Sequence, residues 1–313
     1  MLTDAFVSAV RRQGVIPSTY SDADVLGVGD GEVLGTFVPL LEFIRQDHLV
    51  RTVTINADAL GRYPLPKRAV AGGLRSVQLQ VSNSWVSLPQ RQMEEADFRT
   101  TGLPSAYFLD AGSIVLLPTG TAGPQRVRYS ARPSSMVALP GGGTASAAAI
   151  STVTAGATTT SISCATNAIV GTVVDIVGNG PTHPLKAIEA TIQSGTITTG
   201  GPVTLLNAEL AEAPVTSPVT YVQGNPPDFI CQAGVTPFVP IPEELSAALV
   251  HRTAGVILRS LGYQEEAAQQ LTLAGEVIAS ATPMLSPRNE GNPQVVRGGV
   301  RRALNQWRQG WRY

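Results

Sequence analysis

An α+β fold is the class this sequence predicts, and three observations carry the prediction. Helical spacing of apolar residues appears near both ends of the chain, turn-punctuated alternation fills the middle, and the residues around 140–224 change composition abruptly. The expected architecture is a helical bundle built from N- and C-terminal segments, a β unit, an inserted β-sandwich or barrel module, and an extended C-terminal arm. In residue terms this is a core of 1–139 plus 225–285, an inserted module at 140–224, and an arm at 286–313.

Thr3 or Asp4 is placed to cap a first helix whose Phe6, Val7 and Val10 fall on one side, with Gly14 as its stop. Ser21, with Asp24 three residues on, has the pattern of a capping box. The helix it opens carries Val25, Val33, Phe37, Leu40, Leu41 and Ile44 at helical spacing. Gly27, Gly29, Gly31, Gly35 and Pro39 weaken it, so two short helices or one bent helix are expected.

From Val50 the rhythm is that of strands, expected near Arg51 to Ile55, Arg75 to Val81 and Trp85 to Leu88. Tyr107 to Leu109 and Ser113 to Leu117 flank Asp110, Ala111 and Gly112, a hairpin in which the glycine supplies positive φ. Arg126 to Ser130 completes the unit.

Residues 141–240 hold Lys186 against Asp175, Glu189, Glu209, Glu212 and Asp228, a net charge of −4 without one arginine. The runs AISTVTA, TTTSISC, GTVVDIV, ATIQSGTIT and PVTLL are short and β-branched, as in a small sandwich or barrel. LPGGGT (139–144) and QGNPPD (223–228) bound the module as turn-rich linkers, which suggests an insertion. Helical pattern then returns. Pro242 suits a first helical position, Glu243 and Glu244 suit the positive end of the helix dipole, and Leu245, Leu249, Val256, Ile257 and Leu261 form a stripe that Gly262 ends. A second helix from about Gln264, with Ala267, Leu271, Ala274 and Ile278, is expected to stop before Pro283.

The arm is the most distinctive segment. Arg288, Arg297, Arg301, Arg302, Arg308 and Arg312 face a single acid, Glu290, giving +5 in a chain whose net charge is −1. Trp307, Trp311 and Tyr313 are interleaved with them, and Trp, Tyr and Arg are the residues that dominate interface energetics. Arg301, Arg302, Trp307, Arg308, Trp311, Arg312 and Tyr313 are therefore the candidate partner-binding residues. Charged residues make up only 14% of the chain and lysine occurs only at Lys67 and Lys186, which favours association over solitary solubility.

Other chemistry lacks a pattern. Gly27, Gly29 and Gly31 match neither dinucleotide nor P-loop spacing, and Asp22, Asp24 and Asp30 fail as a calcium loop because Leu26 and Val33 occupy ligand positions. His48, His183 and His251 lie beyond ligand spacing of one another; His251 reads as a structural helix residue. Cys164 and Cys231 read as buried apolar groups in a reduced setting. No catalytic, cofactor-binding or metal-binding residue is assigned, and neither a secretory signal nor a membrane span is read. For nucleic acid the arm is basic, but the body offers no basic face to follow a backbone, so protein is the expected partner.

SDADVLGVGDGEVLGTFVPLLEFIRQDHLV (21–50), YPLPKRAVAGGLRSVQL (63–79), YFLDAGSIVLLPTGTAGPQRVRYSARPSSMV (107–137) and IPEELSAALVHRTAGVILRSLGY (241–263) together resemble the head-to-tail connector, or adaptor, proteins of tailed bacteriophages. The resemblance implies a non-enzymatic virion protein without cofactors, assembled in the host cytoplasm and located at the head–tail neck. It implies a homo-oligomeric ring of about twelve subunits, bound to the portal protein above and to a neck or tail component below. DNA would be met only by passage through the lumen, and no membrane is involved. Carried over by position, helices near 22–48, 242–261 and 264–281 would form the family's bundle and 287–313 its portal-gripping arm. The module at 144–224 is a departure from a minimal adaptor. Two other readings stand beside this one: a capsid-decoration or tail-associated binding protein that works through the β module, and a virion-associated hydrolase.

Overall fold

The chain is seen in a computed structural model that describes residues 1–285 apart from 15, 18, 45–47, 58–60, 83, 93–101, 111, 119–122, 139–146, 165–172, 179–184, 195–201, 208–209, 211–213 and 215–227. It is mixed α+β, with helices at both ends of the described chain and strands between them.

The helices share one core. The first, α1 (Thr3–Gln13), buries Phe6, Val7 and Val10 as its spacing predicts. Thr3 is not its cap: Leu2 holds that position, and the Thr3 hydroxyl, fully buried, donates to the carbonyl of Val137 at 2.7 Å. The next helix, α2 (Asp22–Glu32), opens with the expected capping box. Asp24 N–H donates to Ser21 Oγ at 3.1 Å, and Ser21 N–H donates to Asp24 Oδ2 at 3.2 Å. Between α2 and α3 (Val38–Ile44) the helix widens into a π turn, Val33–Phe37, with Val38 N–H donating back to the carbonyl of Val33. Pro39 explains the widening. A proline ring collides with the carbonyl four residues before it in a regular helix, and inserting one residue into the turn relieves that collision without breaking the rod.

At the other end, α4 (Glu243–Ser260) is the central helix, and α1, α2 and α5 (Gln264–Leu285) pack on it. Pro242 is its N-cap rather than its first turn. Gly262, at φ +92°, closes it: Tyr263 N–H reaches back to the carbonyl of Leu258 at 3.0 Å, a left-handed stop that suits glycine. The second expectation here is corrected, because α5 runs through Pro283 to Leu285. Proline in a last turn removes only one helical hydrogen bond, and burial of Ala281 and Leu285 in the common core holds the turn in place.

A four-stranded antiparallel sheet has the order β1 (Val50–Ile55), β7 (Gln125–Ala131), β3 (Ala69–Val81), β4 (Ser84–Leu88). Its inner face, Val77, Leu79, Leu88, Val127 and Tyr129, shares a core with a three-stranded sheet of β2 (Tyr63–Pro64), β6 (Ser113–Leu117) and β5 (Ala106–Asp110). In the predicted hairpin Asp110 pairs with Ser113, leaving residues 111 and 112 as the loop, with Gly112 at φ +83°.

The low-charge module is a closed six-stranded barrel, β10 (Thr159–Cys164), β13 (Val203–Leu206), β12 (Leu185–Ser194), β11 (Val173–Val177), β14 (Phe229–Gln232) and β9 (Ala147–Ala155) in order round the wall. The strand that closes it, β14, lies past the expected boundary at 224 and past the QGNPPD stretch. Ile150, Ile162, Val174, Ile176, Val203, Leu205 and Ile230 fill the interior. A short parallel pair, β8 (Ser135–Met136) with β15 (Val235–Thr236), links the strands before the barrel to those after it.

Candidate functional site

Charge inside the molecule is concentrated where the barrel meets the preceding sheets. Asp175 on β11 is fully buried and accepts three bonds: from Arg68 Nη1 at 2.8 Å, from Gly234 N–H at 2.8 Å and from Glu189 N–H at 2.6 Å. The other arm of Arg68, Nη2, donates to the carbonyl of Arg132 at 2.8 Å and to Ser134 Oγ at 3.0 Å. Arg68 and Glu189 both sit at positive φ, +61° and +47°, conformations unusual for residues with a side chain. Satisfying a buried carboxylate with two amides and a guanidinium is the gain that offsets that strain. A second buried pair, Lys186 with Asp228 at 2.8 Å, lies within the barrel. Beside the junction runs an open groove of about 450 Å³ between β1 and β12, lined by Thr52, Thr54, Pro66, Lys67, Tyr129 and Glu189 among others.

The outer face of the four-stranded sheet is of a different kind. Side chains alternate across a strand, so register assigns Thr52 and Thr54 of β1, Arg126 and Arg128 of β7, Ser76, Gln78 and Gln80 of β3, and Trp85 and Ser87 of β4 to one side. The register shift between Leu74 and Ser76 is a bulge, and it brings exposed Arg75 to the same side, where its Nε donates to Ser130 Oγ at 3.2 Å. The guanidinium carbon of Arg126 stands 4.4 Å from the Trp85 ring centroid, a cation–π contact. None of the four strands contains Asp or Glu. This corrects the sequence reading that the body has no basic face. The signal was present in QRVRYSA, where arginines alternate with core residues, but the contribution of Arg75 depends on a bulge that spacing does not reveal.

The helices expose large apolar side chains as well as burying them. Phe43 on α3 is 87% exposed and Met284 in the last turn of α5 is 73% exposed. Met284 immediately precedes the end of the described chain at Leu285. Arg301, Arg302, Trp307, Arg308, Trp311, Arg312 and Tyr313, the candidate arm residues, lie outside the described residues.

The remaining ionisable groups have local explanations. His251 joins helices: its Nδ1–H donates to Gln270 Oε1 at 2.7 Å, and Gln270 Nε2 donates to the carbonyl of Gln13 at 3.1 Å, tying α4 to α5 and α1. Asp30 on α2 accepts the Met136 N–H at 2.9 Å, and burial pushes its carboxyl up to about 6 despite that bond. Cys164 and Cys231 are both buried free thiols, and burial pushes Cys164 up to about 11. Among the described residues no group of three or more His, Cys, Asp or Glu is placed to hold a metal ion, and no helix is long and apolar enough to cross a membrane. No protein-family model matches the chain, and no curated protein matches it.

Proposed function

We propose that this chain is a virion structural protein of a tailed bacteriophage, an adaptor that forms a ring at the neck and docks on the portal through residues 287–313. The observation that supports the reading is the interleaving of Trp307, Trp311 and Tyr313 with arginines in the arm, which follows α5, where Met284 stands exposed in the last turn. The low charge of the chain and the Arg, Trp and Tyr composition of the arm support the same conclusion.

The mechanism is geometric. Neighbouring subunits bury low-charge faces, Trp307, Trp311 and Tyr313 enter grooves of the portal, and Arg301, Arg302, Arg308 and Arg312 pair with portal acids. Such a ring is head-to-tail and closes only when the rotation between neighbours divides a full turn. The test is a pull-down of portal protein by full-length chain and by chain lacking residues 287–313. Binding is expected to be lost on truncation, and undiminished binding overturns the arm. Within the arm, Trp307→Ala is expected to weaken docking by about 2 kcal/mol, the scale of an interface hot spot.

A further inference from the structure

The basic outer face of the four-stranded sheet is absorbed neither by the fold nor by the adaptor reading, and it has the composition of a surface that meets a polyanion. Arg75, Arg126 and Arg128 converge there from two neighbouring strands, and no described carboxylate forms an ion pair with any of them. Arg126 and Arg128 are two residues apart on one strand, about 6.6 Å at the usual rise. Around the arginines the face is neutral: Thr52, Thr54, Gln78, Gln80 and Ser87 offer hydrogen-bonding groups, while the Ser76 hydroxyl lies buried. The one aromatic on this face, Trp85, is half-buried, with the Arg126 guanidinium over its ring.

We propose that this face binds a single-stranded nucleic acid without sequence preference, its arginines on successive phosphates and a base stacked at Trp85. An acidic protein would satisfy the charge but not the rest of the surface. Protein interfaces gather an apolar centre with charge at the rim, whereas here three arginines lie among hydroxyls and amides, and the aliphatic residue that register adds, Val50, is half-buried on the edge strand. Nucleic-acid interfaces are polar and strongly positive, and single strands are held on sheets by phosphate contacts combined with aromatic stacking. A rigid duplex presents no unstacked base to Trp85, so the single strand is the better match. The proposal is independent of the adaptor reading: its failure leaves portal docking by the arm untouched, and the reverse holds too.

The test measures binding of a fluorescein-labelled oligothymidylate of about 20 nucleotides, a length of the order of single-strand site sizes. Full-length chain is compared with full-length Arg75→Gln/Arg126→Gln/Arg128→Gln across a range of salt concentrations. Losing three phosphate contacts is expected to reduce the steepness of log affinity against log salt by about 2, with an affinity loss of about tenfold or more at low salt. Because charges on the arm contribute equally to both proteins, the difference isolates the sheet. An unchanged slope and affinity overturn the proposal. A second measurement does not depend on the triple variant folding. In Trp307→Phe/Trp311→Phe, Trp85 is the one tryptophan left, and its emission is expected to be quenched as oligothymidylate saturates. Binding without that quenching overturns the placement. Polyglutamate binding that the triple substitution abolishes, with no oligothymidylate binding, also overturns it and assigns the face to an acidic protein.

Discussion

At the scale of single residues, Asp175 concentrates more consequence than any other side chain described. Among the described residues it is the one carboxylate paired with Arg68, and two amides point at it, Glu189 from strand β12 and Gly234 from the turn after β14. Removing one partner of a buried pair leaves the other charged and desolvated, so Asp175→Ala is expected to cost about 3–5 kcal/mol in chemical denaturation. A loss below about 1 kcal/mol, the scale of an exposed pair, would mean that the junction is solvated in practice. Asp30 offers a prediction in pH. Its folded carboxyl titrates near 6, above the 3.8 of a free side chain, so the folded state holds the proton more tightly than the unfolded chain does. Its contribution is therefore most favourable below about pH 4, declines as pH rises towards 6, and is flat beyond. Asp30→Asn keeps an acceptor for the Met136 N–H without the buried charge. Its stability relative to the native chain is expected to rise between pH 4 and 7, as read from denaturant midpoints at the two values. A constant difference across that range would remove Asp30 as the cause.

Among the elements, α2 shows how a sequence poor in helix-forming residues is held by packing. Gly29 is the point of closest approach: a Cβ there would stand 2.7 Å from Met136 Cε and 3.1 Å from the Phe6 ring. The methionine can move aside, but the ring belongs to the shared core, so Gly29→Val is expected to destabilise by about 1–3 kcal/mol, the range for overpacked sites. A thermal melt with no shift would count against this contact. The same helix marks what the sequence discloses and what it conceals. Ser21 and Asp24 announce its start because a capping box is local chemistry, and Gly262 announces the end of α4 for the same reason. The π turn at Val33–Phe37 was legible only as a weakness, since Pro39 predicts a disturbance but not its form. Strand β14 escaped notice because FICQ is too short for periodicity, and its role is conferred by long-range pairing with β9 and β11. The basic face divides in the same way. Arg126 and Arg128 follow from alternation, while Arg75 joins them through a bulge defined only by the partner strand.

For the molecule as a whole, the junction around Asp175 determines how barrel and flanking sheets respond to stress. Arg68 before the barrel, Asp175 and Glu189 within it and Gly234 after it form one network, so the native chain is expected to unfold in a single calorimetric transition. Asp175→Ala is expected to split that transition in two by removing the bonds that couple the parts. Two transitions already present in the native chain would show that the network does not carry the coupling. Closure of the barrel has a separate implication. The strands by which the polypeptide enters and leaves it, β9 and β14, lie side by side, with Ala149 opposite Phe229 and Ala147 opposite Cys231. Two ends already adjacent can be joined to cargo of almost any size with little added entropic cost, because loop closure grows only logarithmically with length. That adjacency fixes the spacing of the two points where the body meets the barrel, so an insertion in a barrel loop is expected to leave that spacing unchanged.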